Sequence, residues 1–554
     1  MQKRHLLILF VIIATIYLLG IHIPIMEVDA AQYASMSKEM MQRGIYLHVY
    51  DRGVEYLDKP PFLFWINVVS MKIFGANNFG YRLPSILFAL LAIFATYRFA
   101  LLYYNRIIAQ ISAIVLATCQ ALFLITHDVR TDTVLMGWVI LSVWQLAEWF
   151  KYKNWLNFII AFIAIGGGMI TKGPIALLVP VFGFGSHFLL QRNYKAIFKW
   201  QYIIGIIIIA LVLLPMSIGL YQQFDLHPEK LVNGKYGVSG LRFFYWTQSF
   251  GRITGESEWD NHAGFLFLLQ NMLWSFLPWI FFFLASLFVT TKVLIKKRFK
   301  ISGTEEFITY GGFLITYCSL ALSHYQLPHY IFVVFPFASI ITAKFIYQLC
   351  WVNYGGKLYN FFYYCHATLF LLLLLTANIL ISYLFSETGL ISKIFIAAAT
   401  ITYLYIIFLN RTWHPKLFLI SIFTICTINI SLNSALYPAL LRYQAGSSAA
   451  KWFEEHNILP GKFVIYDNDF GHSFYFYAKH FVPVTSNVAE LKEGLLVLTK
   501  EEGKLKLDSL SIPYKIIFTG EDFHVSMLNL KFVNPATRNT QVQAYYILQV
   551  LKKQ

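Results

Sequence analysis

A carboxylate and two polar side chains at helical spacing open the first polar stretch of the chain. Asp29, Gln32 and Tyr33 stand at positions i, i+3 and i+4, so a helix beginning at Asp29 would carry all three on one face. A carboxylate in that place could act as a general base. Alternatively, Asp29 is the N-cap of the helix and accepts hydrogen bonds from the free N–H groups of the first turn. The spacing alone leaves both interpretations open.

A second acid and base stand side by side before a pair of prolines. Asp58 and Lys59 precede Pro60 and Pro61, which open a second apolar segment. The residue before a proline favours extended backbone, whereas proline suits the first turn of a helix. A lysine fixed beside a carboxylate at such a helix entrance is a candidate for binding phosphate. A lysine there could also simply extend toward lipid head groups.

Further ionisable residues lie in short connections between apolar segments. Arg130 and Asp132 occupy one connection, and Lys172 occupies a later one. Because these connections are short, their side chains must lie at the membrane interface. Ionisable groups there are costly, so they usually line a cavity or pair with each other. Pairing of Arg130 with Asp132 or with another acid is therefore the alternative to a substrate pocket. Later connections add histidines, an arginine and a tyrosine, namely Arg252, His262, His324 and Tyr330.

The composition places these residues in a membrane protein. The chain is 58% hydrophobic and 13% charged over 554 residues, whereas soluble proteins are near half apolar and a quarter charged. A membrane crossing needs roughly 20 apolar residues. About thirteen such segments are expected, centred near residues 15, 92, 116, 140, 163, 181, 211, 278, 315, 339, 373, 400 and 426.

The distribution of lysine and arginine predicts the topology of these segments. Lys3 and Arg4 precede the first segment, and every second connection after it is basic. Because cytoplasmic loops retain positive charge, we expect a cytoplasmic N-terminus, with the stretch 26–76, the loop 221–263 and the C-terminal region on the outer face. The net charge of +16 is then mostly a topology signal, and no nucleic-acid partner is expected.

The last part of the chain, 437–554, has a different pattern of apolar residues. Its apolar runs are four to eight residues long (FVIYD, EGLLVLT, YKIIFTG, AYYILQVL) and are separated by turn residues. Such runs predict strands, and a helix is expected at 447–456. We therefore expect a membrane domain at 1–436 and a small soluble α/β domain at 437–554. Neither a GxGxxG pattern nor a P-loop is present, so no nucleotide is expected.

An ordered set of segments resembles the GT-C glycosyltransferases of the lipid A aminoarabinose transferase type, which are related to the protein O-mannosyltransferases. The resemblance covers roughly the first 440 residues. The segments are VDAAQYA (28–34), YLDKPPFLFW (56–65), YRLPS (81–85), RTDTVL (130–135), ITKGPIALLVP (170–180), the RIT…H segment (252–262) followed by LPW (277–279), and SHYQLPHYIFVVFP (323–336).

This resemblance implies a mainly α polytopic fold of the GT-C type with about thirteen transmembrane helices, periplasmic juxtamembrane helices and a periplasmic C-terminal domain. It also implies an enzyme of the bacterial inner membrane. The enzyme would move a hexosyl or pentosyl group from a polyprenyl-phosphate carrier to a periplasmic acceptor, with inversion. The acceptor could be lipid A, another glycolipid, a glycan or a protein. A flippase or other transporter of lipid-linked sugars is the alternative, but it would favour charges in the middle of the spans, whereas here they lie at one end.

By position, the resemblance also assigns roles to individual residues. Asp29 resembles the catalytic carboxylate. The residues expected to bind the carrier phosphate are Lys59, Arg252, Lys172 and Tyr330, and the substrate pocket is expected to contain Gln32, Tyr33, Arg130, Asp132 and His324. Asp58 and His262 resemble a site for one divalent ion (Zn, Mg or Mn), a role that suits carboxylate and imidazole ligands.

The chain departs from the family pattern at a few positions. It has Ala30 and Gln32 where aminoarabinose transferases typically have a glutamate and an arginine, Asp58 where the metal-site residue is a glutamate, and Gln326 where a lysine precedes LP. Two positive charges are therefore missing near the pocket. These departures leave the acceptor open and affect the carrier half of the reaction less.

Overall fold

Helices make up most of the chain, and many of them are long and apolar, as the composition predicts. The computed structural model describes residues 3–256, 259–301, 305–409, 415–459, 461–480 and 482–552. Within these ranges, nine helical segments are long and apolar enough to cross a membrane. They are Arg4–His22, Asn78–Tyr103, Thr131–Tyr152, Trp155–Lys172, Tyr194–Asp225, Pro328–Val352, Lys357–Leu384, Leu390–Phe408 and Lys416–Tyr443.

The α-helices of the membrane part follow one another with short connections. Their bounds are α1 Lys3–Leu19, α2 Asp29–Arg43, α3 Phe62–Phe74, α4 Asn78–Tyr103, α5 Arg106–Ala117, α6 Gln120–Ile125, α7 Thr131–Tyr152, α8 Trp155–Lys172, α9 Ile175–Leu190, α10 Tyr194–Ile197, α11 Gln201–Leu220, α12 Gly240–Arg242, α13 Gly251–Thr254, α14 Phe267–Ser275, α15 Ile280–Lys296, α16 Ile308–Ala321, α17 Phe335–Tyr347, α18 Lys357–Ile379, α19 Leu390–Leu409, α20 Lys416–Ser431 and α21 Tyr437–Leu440. A 3₁₀ turn, Pro328–Val334, leads into α17.

Every apolar segment expected from the sequence coincides with one of these helices or lies directly beside one. Some segments are interrupted. The one near residue 116 is divided into α5 and α6 at Thr118 and Cys119, and the one near residue 278 is divided into α14 and α15 around Pro278. The mainly α polytopic fold is therefore confirmed, while the number of thirteen spans and the sidedness of the loops stay predictions.

The two predicted helix entrances near the N-terminus are present. Helix α2 begins at Asp29, and α3 begins at Phe62, directly after the two prolines. A short hairpin, β1 (Tyr50–Asp51) and β2 (Val54–Glu55), joins them. Ala30, Ala31 and Ala34 of α2 are fully buried in a hydrophobic cluster shared with α3. Their small side chains let the two helices approach closely, which fixes the first residues of α2 against the membrane domain.

The C-terminal region contains a five-stranded mixed sheet, so its predicted α/β character is confirmed. The strand order is β4-β3-β5-β7-β6, with β3 parallel to β4 and β5, and β7 antiparallel to β5 and β6. The elements are α22 Ala445–Glu455, β3 Phe463–Tyr466, α23 Gly471–Tyr477, β4 Val484–Thr485, β5 Leu496–Lys500, α24 Glu501–Ser509, β6 Tyr514–Asp522, α25 Leu530–Val533, α26 Pro535–Arg538 and β7 Gln543–Val550. Strand β3 is buried along its whole length, as expected for a strand covered on both faces. The domain boundary at 436 stays a prediction.

Candidate active site

One cavity brings together the four residues that were expected to bind the carrier phosphate. Lys59, Lys172, Arg252 and Tyr330 all line it, and Asp132 lines it as well. These side chains come from five separate places, namely the entrance of α3, the start of α7, the end of α8, the short helix α13 and the 3₁₀ turn before α17. Apolar side chains complete the wall, among them Leu135, Ile175, Leu178, Leu320 and Val333. The cavity therefore offers polar cations beside an apolar surface.

A buried ion pair fixes the lysine at the end of α8. Lys172 Nζ lies 2.5 Å from Asp132 Oδ1, and the Asp132 side chain is only 1% exposed. The same ammonium lies 4.0 Å from the ring centroid of Tyr330, within the range of a cation–π contact. On the other side of the carboxylate, His329 Nε2 lies 3.6 Å from Asp132 Oδ2. Asp132 thus pairs with Lys172, and Arg130 pairs with two other acids, Asp29 and Asp128, so the alternative that Arg130 pairs with an acid is confirmed, although the acid is not Asp132.

Arg252, in the loop 221–263, reaches the same tyrosine. Its NH1 group donates a hydrogen bond of 2.9 Å to the Tyr330 hydroxyl, and its guanidinium lies 5.2 Å from the centroid of the Tyr325 ring. The Nε atom of Arg252 is buried and has no hydrogen-bond partner among the described residues. A buried donor without a partner is costly, so the arginine retains hydrogen-bonding capacity for an anion.

The Asp58–Lys59 pair forms as the sequence suggests, but a third residue joins it. Lys59 Nζ donates to Asp58 Oδ2, and Gln248 Nε2 donates to Asp58 Oδ1 at 2.7 Å. Burial alone would raise the pKa of the Asp58 carboxyl, but Lys59, Arg252 and the Gln248 hydrogen bond together lower it. Asp58 therefore holds Lys59 at the cavity as an ionised partner.

The charges around the cavity do not cancel. Lys59, Lys172 and Arg252 are cations, whereas Asp58 and Asp132 are the carboxylates that pair with the two lysines. One positive charge remains, and it belongs to the arginine with the free buried donor. Anionic oxygens accepting hydrogen bonds from such groups form strong, charge-assisted bonds. The arrangement is suited to a phosphate group.

A second cluster surrounds the catalytic candidate at the start of α2. Asp29 Oδ2 accepts a hydrogen bond from Arg130 NH1, and Arg130 Nε donates to Asp128 Oδ2 at 3.0 Å. Burial would lower the pKa of Arg130, but Asp128 and Asp29 raise it above its ordinary value. The N-cap position of α2 is Val28, so the interpretation of Asp29 as an N-cap is wrong. Its carboxylate is directed at Arg130 instead and remains partly exposed.

The two polar neighbours of Asp29 on α2 have different surroundings. Gln32 Nε2 donates to Asp51 Oδ2 at 2.8 Å. Tyr33 lies in the hydrophobic cluster between α2 and α3, with its ring 6.0 Å from that of Phe64. Burial, and then Tyr56 and Asp29, raise the pKa of Tyr33 well above its ordinary value. Tyr33 is therefore mainly a packing residue, whose hydroxyl adjoins the charged cluster.

The two histidines expected in the site, His262 and His324, lie at the surface. The side chain of His262 is 91% exposed, with Nδ1 3.3 Å from Asp260 Oδ1, and His324 Nδ1 is 3.8 Å from Asp260 Oδ2. Asp58 is engaged by Lys59 and Gln248, and no hydrogen bond or ion pair joins it to His262 among the described residues. Within the described ranges, no cluster of three or more histidine, cysteine or acidic side chains could hold a metal. The residues as arranged do not fit the expected divalent ion, whose binding stays a prediction.

Sequence reasoning missed several residues that complete these clusters. Gln248, which orients Asp58, lies in a loop 190 residues away in sequence and carries no motif. His329 lies inside the SHYQLPHY segment, and its position directly before Tyr330 is a signal that could have identified it. Asp51, which contacts Gln32, lies in the β1–β2 hairpin that separates the two helix entrances. Long-range pairing of this kind leaves no periodic signal in one sequence.

Part of the chain is similar to known proteins. Residues 58–218 match the Dolichyl-phosphate-mannose-protein mannosyltransferase family. The undecaprenyl phosphate-alpha-4-amino-4-deoxy-L-arabinose arabinosyl transferase of Wigglesworthia glossinidia brevipalpis is 28% identical over 326 residues, covering 57% of this chain and 54% of that protein. The protein of the same name from Erwinia tasmaniensis is 26% identical over 349 residues, covering 61% and 59%.

The fold agrees over a longer range than the sequence. The crystal structure of ArnT from Cupriavidus metallidurans bound to undecaprenyl phosphate superposes with a TM-score of 0.74 at 15% identity, and the alignment covers 100% of both chains. The resemblance to GT-C glycosyltransferases of the aminoarabinose transferase type is confirmed. In sequence, the chain spans between half and two thirds of the length of the curated relatives described above.

Proposed function

We propose that this protein is a membrane glycosyltransferase that moves a sugar from a polyprenyl-phosphate carrier to an acceptor at the outer face of the bacterial inner membrane. The observation that carries the proposal is the cavity in which Lys59, Lys172, Arg252 and Tyr330 meet beside apolar side chains. Such a wall suits a lipid phosphate, because the cations bind the phosphate and the apolar surface binds the prenyl chain. The names of the relatives, and the undecaprenyl phosphate in the similar crystal structure, support this carrier class.

The proposed reaction is an inverting substitution at the anomeric carbon. An acceptor oxygen attacks that carbon, and the bond between the carbon and the carrier phosphate oxygen breaks, so the electron pair leaves with the phosphate. Lys59, Lys172 and Arg252 stabilise the negative charge that develops there. If the acceptor is a hydroxyl, its proton passes to Asp29; if it is a phosphate oxygen, no proton needs to move and Asp29 orients the acceptor.

The two clusters divide these tasks between them. The cavity cluster binds the carrier, while Asp29, held by Arg130, faces the acceptor. Gln32 adjoins this acceptor side, and its neutral side chain is directed at Asp51. Lipid A, another glycolipid, a glycan and a protein all remain acceptor candidates. The predicted topology would place both clusters on the periplasmic face, with a cytoplasmic N-terminus and a periplasmic C-terminal domain.

The test is transfer by the purified full-length protein in lipid nanodiscs. Undecaprenyl phosphate carrying 4-amino-4-deoxy-L-arabinose is supplied with lipid A, and mass spectrometry follows loss of the donor and gain of a pentosyl mass on the acceptor. Binding of undecaprenyl phosphate is measured in parallel. We expect binding at micromolar concentration and time-dependent transfer or donor cleavage. Absence of both carrier binding and donor turnover would overturn the proposal, whereas movement of intact donor across vesicles would identify a transporter.

A further inference from the structure

Helix α23 of the C-terminal domain lies against α2, the helix that begins with Asp29. At one end of this contact, Glu27 Oε1 accepts a hydrogen bond of 2.6 Å from the backbone N–H of Ser473, in the first turn of α23. Gly471, with φ +75°, permits this approach, since a Cβ atom there would lie 2.6 Å from Glu27 Oε1. A carboxylate thus satisfies one of the free N–H groups at the start of α23.

At the other end of α23 the contact is made by a buried lysine. Lys38 Nζ donates to the carbonyl oxygens of Tyr475 at 3.1 Å and Phe476 at 2.9 Å, and also to that of Ala478. Lys38 is only 8% exposed. An ammonium group has three donors, so these three carbonyls, which lie in and after the last turn of α23, use all of them.

The charges are arranged to match the dipole of α23. Its N-terminal end meets the carboxylate of Glu27, and its C-terminal end meets the ammonium of Lys38, which is the favourable order for a helix dipole. Because Glu27 and Lys38 flank Asp29 in the chain, the segment that carries the catalytic candidate holds α23 at both ends. The two helices consequently run in the same direction.

Apolar and polar contacts reinforce this junction. Phe476 is buried in the same hydrophobic cluster as Ala30, Tyr33 and Ala34. The backbone N–H of Ile25 donates to the Tyr477 hydroxyl at 2.8 Å. The C-terminal domain therefore contributes side chains to the core that sets the position of α2, and the junction is not a peripheral contact.

We propose that the C-terminal domain positions the catalytic carboxylate, with Lys38 and Glu27 as the positioning residues. Docking of α23 sets the position of α2 and thus aligns Asp29 with Arg130. The role of the domain is then to support turnover, while carrier binding depends on Lys59, α8 and the turn before α17. This inference rests on the proposed function for its catalytic part, and its structural part stands on the contacts of α23.

The test compares Lys38→Met with Lys492→Met in the full-length protein. Lys38→Met keeps an unbranched side chain but removes all three donors. The control residue, Lys492, is an exposed lysine of the C-terminal domain. For Lys38→Met we expect kcat to fall at least tenfold, the Kd for undecaprenyl phosphate to stay within twofold, and amide hydrogen exchange in residues 29–43 to speed up. The control is expected to leave all three unchanged. An unchanged kcat, or a lower kcat with unchanged exchange in α2, would overturn the inference.

A second variant keeps the test decisive if Lys38→Met fails to fold. Lys38→Gln keeps two donors, so we expect it to be intermediate in kcat and in exchange between the wild type and Lys38→Met; a variant as fast as the wild type in both would contradict the positioning role. If the wild type itself neither binds carrier nor turns over donor, the proposed function fails. The amide hydrogen exchange of residues 29–43 in the apoprotein then still decides whether Lys38 docks α23 against α2.

Discussion

At the residue scale, Asp29 is the group to which the proposal assigns the acceptor half of the reaction. Its carboxylate is bound to Arg130 and partly exposed. If it serves as the general base, Asp29→Asn should lower transfer to a hydroxyl acceptor by about 10²–10⁴-fold, with the affinity for undecaprenyl phosphate unchanged. Glu229→Gln, an exposed carboxylate of the loop 221–263, is the matched control. Near-normal transfer by Asp29→Asn would contradict the assignment.

Alanine substitutions of Lys59 and His262 are expected to have different effects on the affinity for the carrier. Lys59 lines the cavity, so Lys59→Ala removes a charge-assisted hydrogen bond worth about 1.5–3 kcal/mol, and the affinity for undecaprenyl phosphate should fall about 10- to 100-fold. His262 is at the surface beside Asp260, so His262→Ala should stay within twofold. Both are measured with and without a chelator. A loss in His262→Ala that tracks added Zn, Mg or Mn would restore the metal-site hypothesis.

At the element scale, the pair Asp132–Lys172 connects the start of α7 to the end of α8. Asp132→Asn leaves the buried ammonium of Lys172 without its partner charge, and breaking such a pair costs about 3–5 kcal/mol. We therefore expect a lower thermal unfolding midpoint for the purified protein. In the double variant Asp132→Asn with Lys172→Met, the midpoint should partly recover, while the affinity for undecaprenyl phosphate stays low.

The double variant separates stability from binding at this junction. If the affinity recovered together with the unfolding midpoint, Lys172 would serve only to join the helices. If the single variant unfolded like the wild type, the ion pair would contribute nothing measurable to the fold.

The sequence predicts local elements better than it predicts their contacts. The helix entrances at Asp29 and after Pro61 follow from spacing and from proline chemistry, and both are present. That Lys59 and Lys172 line the same cavity could be anticipated, because the family resemblance carries information about positions that are distant in the sequence. The contacts of Asp29 with Arg130 and of Lys38 with α23 could not, since each joins residues about 100 or more apart and neither leaves a periodic pattern.

At the scale of the whole molecule, the ionisable clusters gather at one end of the helices while most of the remaining basic residues lie in alternate connections. This asymmetry predicts that the C-terminal domain and both clusters share the periplasmic face. Two exposed residues can test this sidedness, namely Leu530 in α25 and Phe198 between α10 and α11. They lie on opposite sides of the membrane if the topology is right.

Single-cysteine labelling measures that sidedness directly. The five native cysteines are first replaced by serine, and Leu530→Cys or Phe198→Cys is then exposed to a maleimide that cannot cross the inner membrane. Because basic connections stay in the cytoplasm, we expect Leu530→Cys to label in intact cells and Phe198→Cys to label only after lysis. Transfer activity of each variant is the control for correct folding. The reverse labelling order would place the candidate site on the cytoplasmic face, where it could not serve a periplasmic acceptor, and would overturn the proposed direction of transfer.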